Sequence, residues 1–81
     1  MSVTYYVALP FVQSEEGIVP GEATDCPNEF AAVRKAEAMS REEENVGALA
    51  FKRTGSPETG DFNDAVIIKS FGEVPSNLDE L

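Results

Sequence analysis

Several residue types are missing or scarce in this chain of 81 residues, and each shortage removes a class of function. There is no histidine, so imidazole cannot act as a general base or as a metal ligand. The single cysteine, Cys26, can neither close an intramolecular disulfide nor build a thiolate zinc site. Because these ligand sets are missing, we expect no metal and no cofactor, and we find no residue set that predicts catalysis.

Positive charge is also scarce. Six Lys and Arg residues stand against 15 Asp and Glu residues, which gives a net charge of −9. Binding to nucleic acid through its phosphates needs a basic surface, so we predict that the protein binds no nucleic acid. Apolar residues make up 42% of the chain, an ordinary share for a folded domain.

The N-terminal segment shows no targeting pattern. It begins without a basic region, and Pro10 interrupts the apolar run over residues 3–12. A spanning helix needs about 20 consecutive apolar residues, and a lone thiol suits a reducing compartment. We therefore predict a cytoplasmic protein that does not interact with a membrane.

Hydrophobic periodicity predicts three clear strands and one weaker one. Apolar residues alternate over residues 3–12, which predicts a strand, and residues 18–24 form a weaker candidate because Pro20 and Gly21 interrupt them. Residues 46–53 and 62–71 predict two further strands, joined by a segment rich in turn residues.

One helix is predicted between these strands. Pro27 is favoured in the first helical position, which places Cys26 or Asp25 at the N-cap. Apolar residues at helical spacing continue to Met39, and we expect the helix to end within residues 42–44. Three consecutive glutamates there oppose the helix dipole, so the last turn should be weak.

The resulting element order is β-(β)-α-β-β, in which the bracketed strand is the weaker one. It predicts an α+β fold with one helix packed on a three- to four-stranded, mainly antiparallel sheet. We assign residues 1–72 to this single domain and residues 73–81 to an irregular, acidic C-terminal tail. Residues 5–11 (YYVALPF) and 47–51 (GALAF) resemble small bacterial proteins of about this length without an assigned activity. That resemblance implies nothing about mechanism.

Cys26 is the one candidate for a reactive group. A thiol at a helix N-terminus faces free amide protons, which favours the thiolate and would suit redox sensing or nucleophilic chemistry. Against this, the chain has no second cysteine to resolve an oxidised form and no histidine to serve as its base. We expect a structural role for Cys26.

The predicted sheet has two apolar faces, and one helix cannot cover both. We expect the helix to cover the bulkier set, which comprises Val3, Tyr5, Val7, Leu9, Phe11, Leu49, Phe51, Ile67 and Phe71. The smaller set is then a candidate interaction face, made of Tyr6, Ala8, Val46, Ala48, Ala50, Val66 and Ile68. Either the tail, through Leu78 and Leu81, or another protein surface would cover it, and a homodimer is the simplest case of the latter.

These observations favour a small, non-enzymatic protein-interaction or structural module. Two alternatives from other classes stay open. One is a thiol-based redox or small-molecule role at Cys26, and the other is an acidic mimic of nucleic acid that occupies a nucleic-acid-binding protein.

Overall fold

The computed structural model of the chain describes residues 2–75, in which six strands form one antiparallel sheet and one helix packs against it. The elements in chain order are β1 (Val3–Ser14), β2 (Gly17–Pro20), β3 (Thr24–Cys26), α1 (Glu29–Ser40), β4 (Gly47–Ser56), β5 (Asp61–Phe62) and β6 (Val66–Gly72). The fold is therefore α+β with a single helix in the described part of the chain. The expected count of three to four strands is too low.

The count differs because both outer rows of the sheet are broken. β1 and β4 form the two central rows and pair from Val3–Gly55 to Phe11–Gly47. β2 and β3 follow one another along one edge of β1, and β5 and β6 follow one another along the far edge of β4. In each outer row the pairing register shifts by one residue between its two strands. The expected strands over residues 18–24 and 62–71 therefore each become two.

Pro10 accounts for the break between β2 and β3. Proline has no backbone N–H, so it cannot donate to a neighbouring strand. The carbonyl of Pro10 accepts a hydrogen bond from the backbone N–H of Gly21 (2.8 Å), which lies between β2 and β3. The outer row therefore loses regular pairing where the central row lacks a donor.

The helix begins two residues later than the N-cap expected at Cys26. Asn28 is the N-cap, and its side-chain oxygen accepts a hydrogen bond from the backbone N–H of Ala31 (2.8 Å). Asparagine is among the best N-cap residues, whereas Cys26 precedes a proline and stays extended at the end of β3. The placement of Cys26 or Asp25 at the cap is therefore wrong.

The helix also ends earlier than expected. α1 ends at Ser40, with Arg41 as its C-cap, before the three glutamates at positions 42–44. The side-chain amide of Asn45 donates to the carbonyl of Met39 (2.9 Å), which also accepts from the backbone N–H of Glu42 (3.1 Å). These bonds connect the segment after the helix to its last turn. Within residues 2–75, no helix is long and apolar enough to span a membrane.

The core has two parts, one on each side of the sheet. On the helix side, Ala32, Ala36 and Met39 of α1 pack with Ala8, Ala48 and Ala50 of the sheet. On the other side, Leu9, Phe11 and Leu49 form a second cluster. The expectation that the helix covers the bulkier set of sheet residues is wrong. Its stripe consists mostly of alanine, and small side chains on both surfaces let the helix approach the sheet closely.

The chain after β6 crosses the end of the sheet away from the helix. The backbone N–H of Glu73 donates to the carbonyl of Val46 (2.9 Å), and Val74 packs against the cluster of Leu9, Phe11 and Leu49. The remainder of the predicted tail, including Leu78 and Leu81, lies outside the described residues.

Candidate interaction face

The side of the sheet opposite α1, called the helix-free face from here on, carries the large apolar side chains. The strand registers place Tyr5 opposite Arg53, Val7 opposite both Phe51 and Asp25, and Ile67 opposite Phe51. Residues that are directly opposite in a sheet share a face. The helix-free face therefore includes Val3, Tyr5, Val7, Leu9, Phe11, Ile18, Asp25, Leu49, Phe51, Arg53, Phe62, Ile67 and Ser70.

This face is buried at one end and open at the other. Leu9, Phe11 and Leu49 are buried and pack against Ile18 and Val74. The open end keeps four large apolar residues partly in contact with solvent: Val3 (37% exposed), Tyr5 (40%), Phe62 (42%) and Ile67 (39%). Adjacent exposed apolar residues of this size mark interaction surfaces more often than isolated ones do.

A groove of about 280 Å³ runs through the open end. It is lined by Tyr5, Val7, Asp25, Phe51, Arg53 and Phe62. The rings of Tyr5 and Phe62 lie with their centroids 5.9 Å apart and their planes tilted by 43°. This distance falls in the favourable range for aromatic pairs, so the two rings support one another as one wall of the groove.

Gly55 allows Phe62 to occupy that position. Gly55 lies directly opposite Phe62 in the pairing of β4 with β5. A Cβ atom on Gly55 would overlap the Phe62 ring and the carbonyl of Asp61. Any larger residue at position 55 would therefore displace Phe62 from the groove wall.

The charge of the helix-free face differs from that of the chain. Among the strand residues that the structure describes, Asp25 and Arg53 are the only charged residues on this face, and they carry opposite signs. The face is thus neutral at its strand positions, although the whole chain carries −9. A neutral apolar groove can bind an apolar or aromatic surface without large desolvation of charge.

The residues expected to form the interaction face lie mainly on the helix side. Ala8, Ala48 and Ala50 have no exposed surface, because α1 covers them. Tyr6 and Ile68 pack against the same cluster, and Val46 packs against Leu9, Phe11 and Leu49. Of the seven, only Val66 is well exposed, at 54%. These positions therefore do not combine into one accessible surface.

Cys26 lies in β3 and not at a helix N-terminus. It is half-buried and packs against the helix-side core, and its thiol donates to the carbonyl of Thr24 (Sγ···O 3.6 Å). The helix dipole was the physical reason to expect an activated thiol, and that reason does not apply at this position.

The structure brings together no cluster with evident chemistry. Between residues 2 and 75, no group of three or more acidic or cysteine side chains is arranged to hold a metal ion. The ion pair of Lys52 with Glu29 (3.7 Å) joins β4 to α1 on the helix side, where both side chains are largely hydrated. Such an exposed pair contributes little to stability.

Comparison with known proteins adds no further assignment. No family model matches this chain, and neither a curated protein nor a solved structure matches it.

The alternation of apolar residues places Tyr5, Phe51 and Ile67 correctly on one face. It does not predict that this face lies away from the helix, and it does not single out Phe62. A signal in the sequence was available. The predicted helix stripe is mainly alanine, and a small-residue stripe packs most closely on another small-residue surface. That rule selects Ala8, Ala48 and Ala50 as the helix side.

Proposed function

We propose that this protein is a non-enzymatic interaction module and that the open end of the helix-free face is its binding surface. The observation that carries the proposal is the group of exposed large apolar side chains around one groove, formed by Tyr5, Phe62 and Ile67 beside Val7 and Phe51. Aromatic residues are enriched at protein–protein interfaces, because they bury a large area with few rotatable bonds.

The shape of the groove supports a protein partner. It lies on the face of a regular sheet, whose two central rows are held by nine residue pairs from Val3–Gly55 to Phe11–Gly47. A rigid surface of this kind loses little conformational entropy on binding. The thiol role at Cys26 and the mimicry of nucleic acid remain predictions from the sequence alone, since the geometry adds no observation in favour of either.

Site-specific photo-crosslinking tests the proposal. A benzophenone amino acid replaces Tyr5 in one variant and Ala38, an exposed residue of α1, in the matched control. Both variants are irradiated in native cell extract. We expect a discrete protein adduct from position 5 and no adduct of that mass from position 38. The adduct at position 5 can be with another protein or with a second copy of the same chain.

Competition shows whether the adduct depends on the face. An excess of the unlabelled wild-type chain should suppress the adduct, whereas an excess of the folded Phe62→Asp variant should not. Equal adducts from both positions, or none from position 5, would show that the helix-free face is not the binding surface.

A further inference from the structure

We propose that the helix-free face binds a second copy of this chain, in a weak dimer with two-fold symmetry. This inference rests on the proposed function and names its partner. It follows from the distribution of charge and from the positions of Asp25 and Arg53 in the sheet.

The charge distribution favours a second copy of this chain over a strongly basic or strongly acidic partner protein. Two chains of −9 repel one another at long range, so they can associate only through a surface that is itself free of net negative charge. At its described strand positions, the helix-free face is such a surface, since it carries one acid and one base. A strongly basic partner would instead need several acids on the face, and an acidic partner would need several bases.

One acid and one base also make the face complementary to itself. In a two-fold dimer the same patch is used twice, so any contact of Arg53 with Asp25 of the second copy occurs two times. The guanidinium of Arg53 has five N–H donors, so this contact does not require that Arg53 be unpartnered within its own chain.

The sheet register permits this arrangement. Asp25 lies opposite Val7 on one side of β1, and Arg53 lies opposite Tyr5 on the other side. From the spacing of rows and residues in a sheet, the two backbone positions are about 12 Å apart. A two-fold axis that lies parallel to the face and bisects that separation crosses β1 between Tyr5 and Val7. Rotation about it sets each Arg53 over Asp25 of the other copy.

The same axis places the exposed apolar side chains at the centre. Tyr5 and Val7 lie beside the axis, and Phe51 lies next to Val7 in the adjacent row. The open end spans only about five residues of β1, roughly 17 Å, so the interface is smaller than the ~800 Å² per partner of a standard one. We therefore expect a weak, transient dimer that forms only at high protein concentration.

The first test measures molecular mass by analytical ultracentrifugation from about 5 µM to about 1 mM. We expect the mass to rise from one chain toward two. Tyr5→Glu should keep the chain monomeric by placing an acid at the centre of the interface. Phe30→Glu is the matched control, because Phe30 is 69% exposed on α1, and it should dimerise like the wild type.

The second test mixes two charge-reversed chains. Arg53→Glu and Asp25→Arg each place like charges across the interface, so each alone should dimerise at least about tenfold more weakly. An equimolar mixture restores both opposite-charge contacts, but only between different chains, and should recover the wild-type mass. Circular dichroism establishes that each variant is folded.

The outcomes separate this inference from the proposed function. A folded wild type that stays monomeric at 1 mM overturns the dimer, and so does a mixture of folded variants that remains monomeric. Equal weakening by Tyr5→Glu and Phe30→Glu overturns it as well. In those cases a position-5 adduct with a different protein would still support the interaction module.

Discussion

On the helix side of the sheet, Ala8, Ala48 and Ala50 are fully buried, whereas on the helix-free face Tyr5, Phe62 and Ile67 remain about two-fifths exposed. The smaller residues are thus better buried than the larger ones. The helix stripe of Ala32, Ala36 and Met39 explains this difference in burial. It packs closely against small side chains, whereas large side chains would hold the helix farther from the sheet. Volume match, and not hydrophobicity, decided which face the helix covers.

The helix-free face is itself divided. Leu9, Phe11 and Leu49 are buried and pack with Ile18 and Val74 at one end, whereas the groove lies at the other. The first end is therefore part of the core, and the second remains partly exposed to solvent. Substitutions at the two ends should have different consequences, and the following predictions are ordered by the size of the expected effect.

The largest effect should come from the buried end. Leu49→Ala should lower the free energy of unfolding by about 2–5 kcal/mol, because Leu49 is fully buried and its loss leaves a cavity. Urea unfolding at a few micromolar protein, a concentration at which the proposed weak dimer should dissociate, measures the change. Val3→Ala at the open end should cost below about 1 kcal/mol. Similar losses in the free energy of unfolding for Leu49→Ala and Val3→Ala would contradict a buried end and an open end of the helix-free face.

Enlarging the helix side should have the next largest effect. Ala48→Leu should destabilise the fold by about 1–3 kcal/mol, because Ala48 is fully buried against α1 and the added atoms would overpack this contact. Val3→Leu, which enlarges an exposed position, should change the free energy by at most about 0.5 kcal/mol. Thermal unfolding of both variants checks the contrast. If Ala48→Leu is neutral, the close approach of helix and sheet is wrong.

The helix cap should have a smaller effect. Asn28→Ala should cost about 1 kcal/mol, because it removes the hydrogen bond to the N–H of Ala31. Cys26→Ser should cost less than Asn28→Ala, since Cys26 lies in β3 and caps nothing. Urea unfolding decides between them. A neutral Asn28→Ala beside a stabilising Cys26→Ser would instead place the cap at Cys26.

The smallest expected effect is that of ionic strength on the dissociation constant of the proposed dimer. Raising the ionic strength from about 0.01 to 0.15 M shortens the Debye length from about 30 to about 8 Å. Repulsion between two chains of −9 should weaken, so the dimer dissociation constant should fall severalfold. Ultracentrifugation at both salt concentrations measures it. An increase in the dissociation constant would mean that opposite charges, and not apolar contacts, hold the copies together.

The sequence predicted much of this fold and little of the site. The alternation of apolar residues over 3–12 correctly predicted β1 and the partition of its residues between two faces. Pro20 and Gly21 correctly marked a weak point, since the row that contains them is broken into β2 and β3. The predicted N-cap at Cys26 or Asp25 is wrong because Pro27 indicates a helix start directly after Cys26, whereas the side chain of Asn28 makes the capping bond.

The groove could not be predicted in the same way. Phe62 reaches it because Gly55 lies opposite and leaves room for its ring, and this pairing joins residues on two sides of a turn whose register the sequence does not specify. Asp25 reaches it through its pairing with Val7, which depends on how the row resumes after the break at residues 21–23. Both contacts depend on strand register.

By itself, the sequence determined one helix, the antiparallel strands, the division of the β1 residues between two faces and a net charge of −9. These properties follow from local periodicity and composition. The two apolar sets were wrong at two positions, since Phe71 packs on the helix side and Val46 packs against Leu9, Phe11 and Leu49. The tertiary structure alone decided which set lies beneath α1 and which remains open around Tyr5 and Phe62. A period of two separates the faces of a strand but carries no information about the volume of what packs on each. That choice belongs to the fit between side chains from distant parts of the chain.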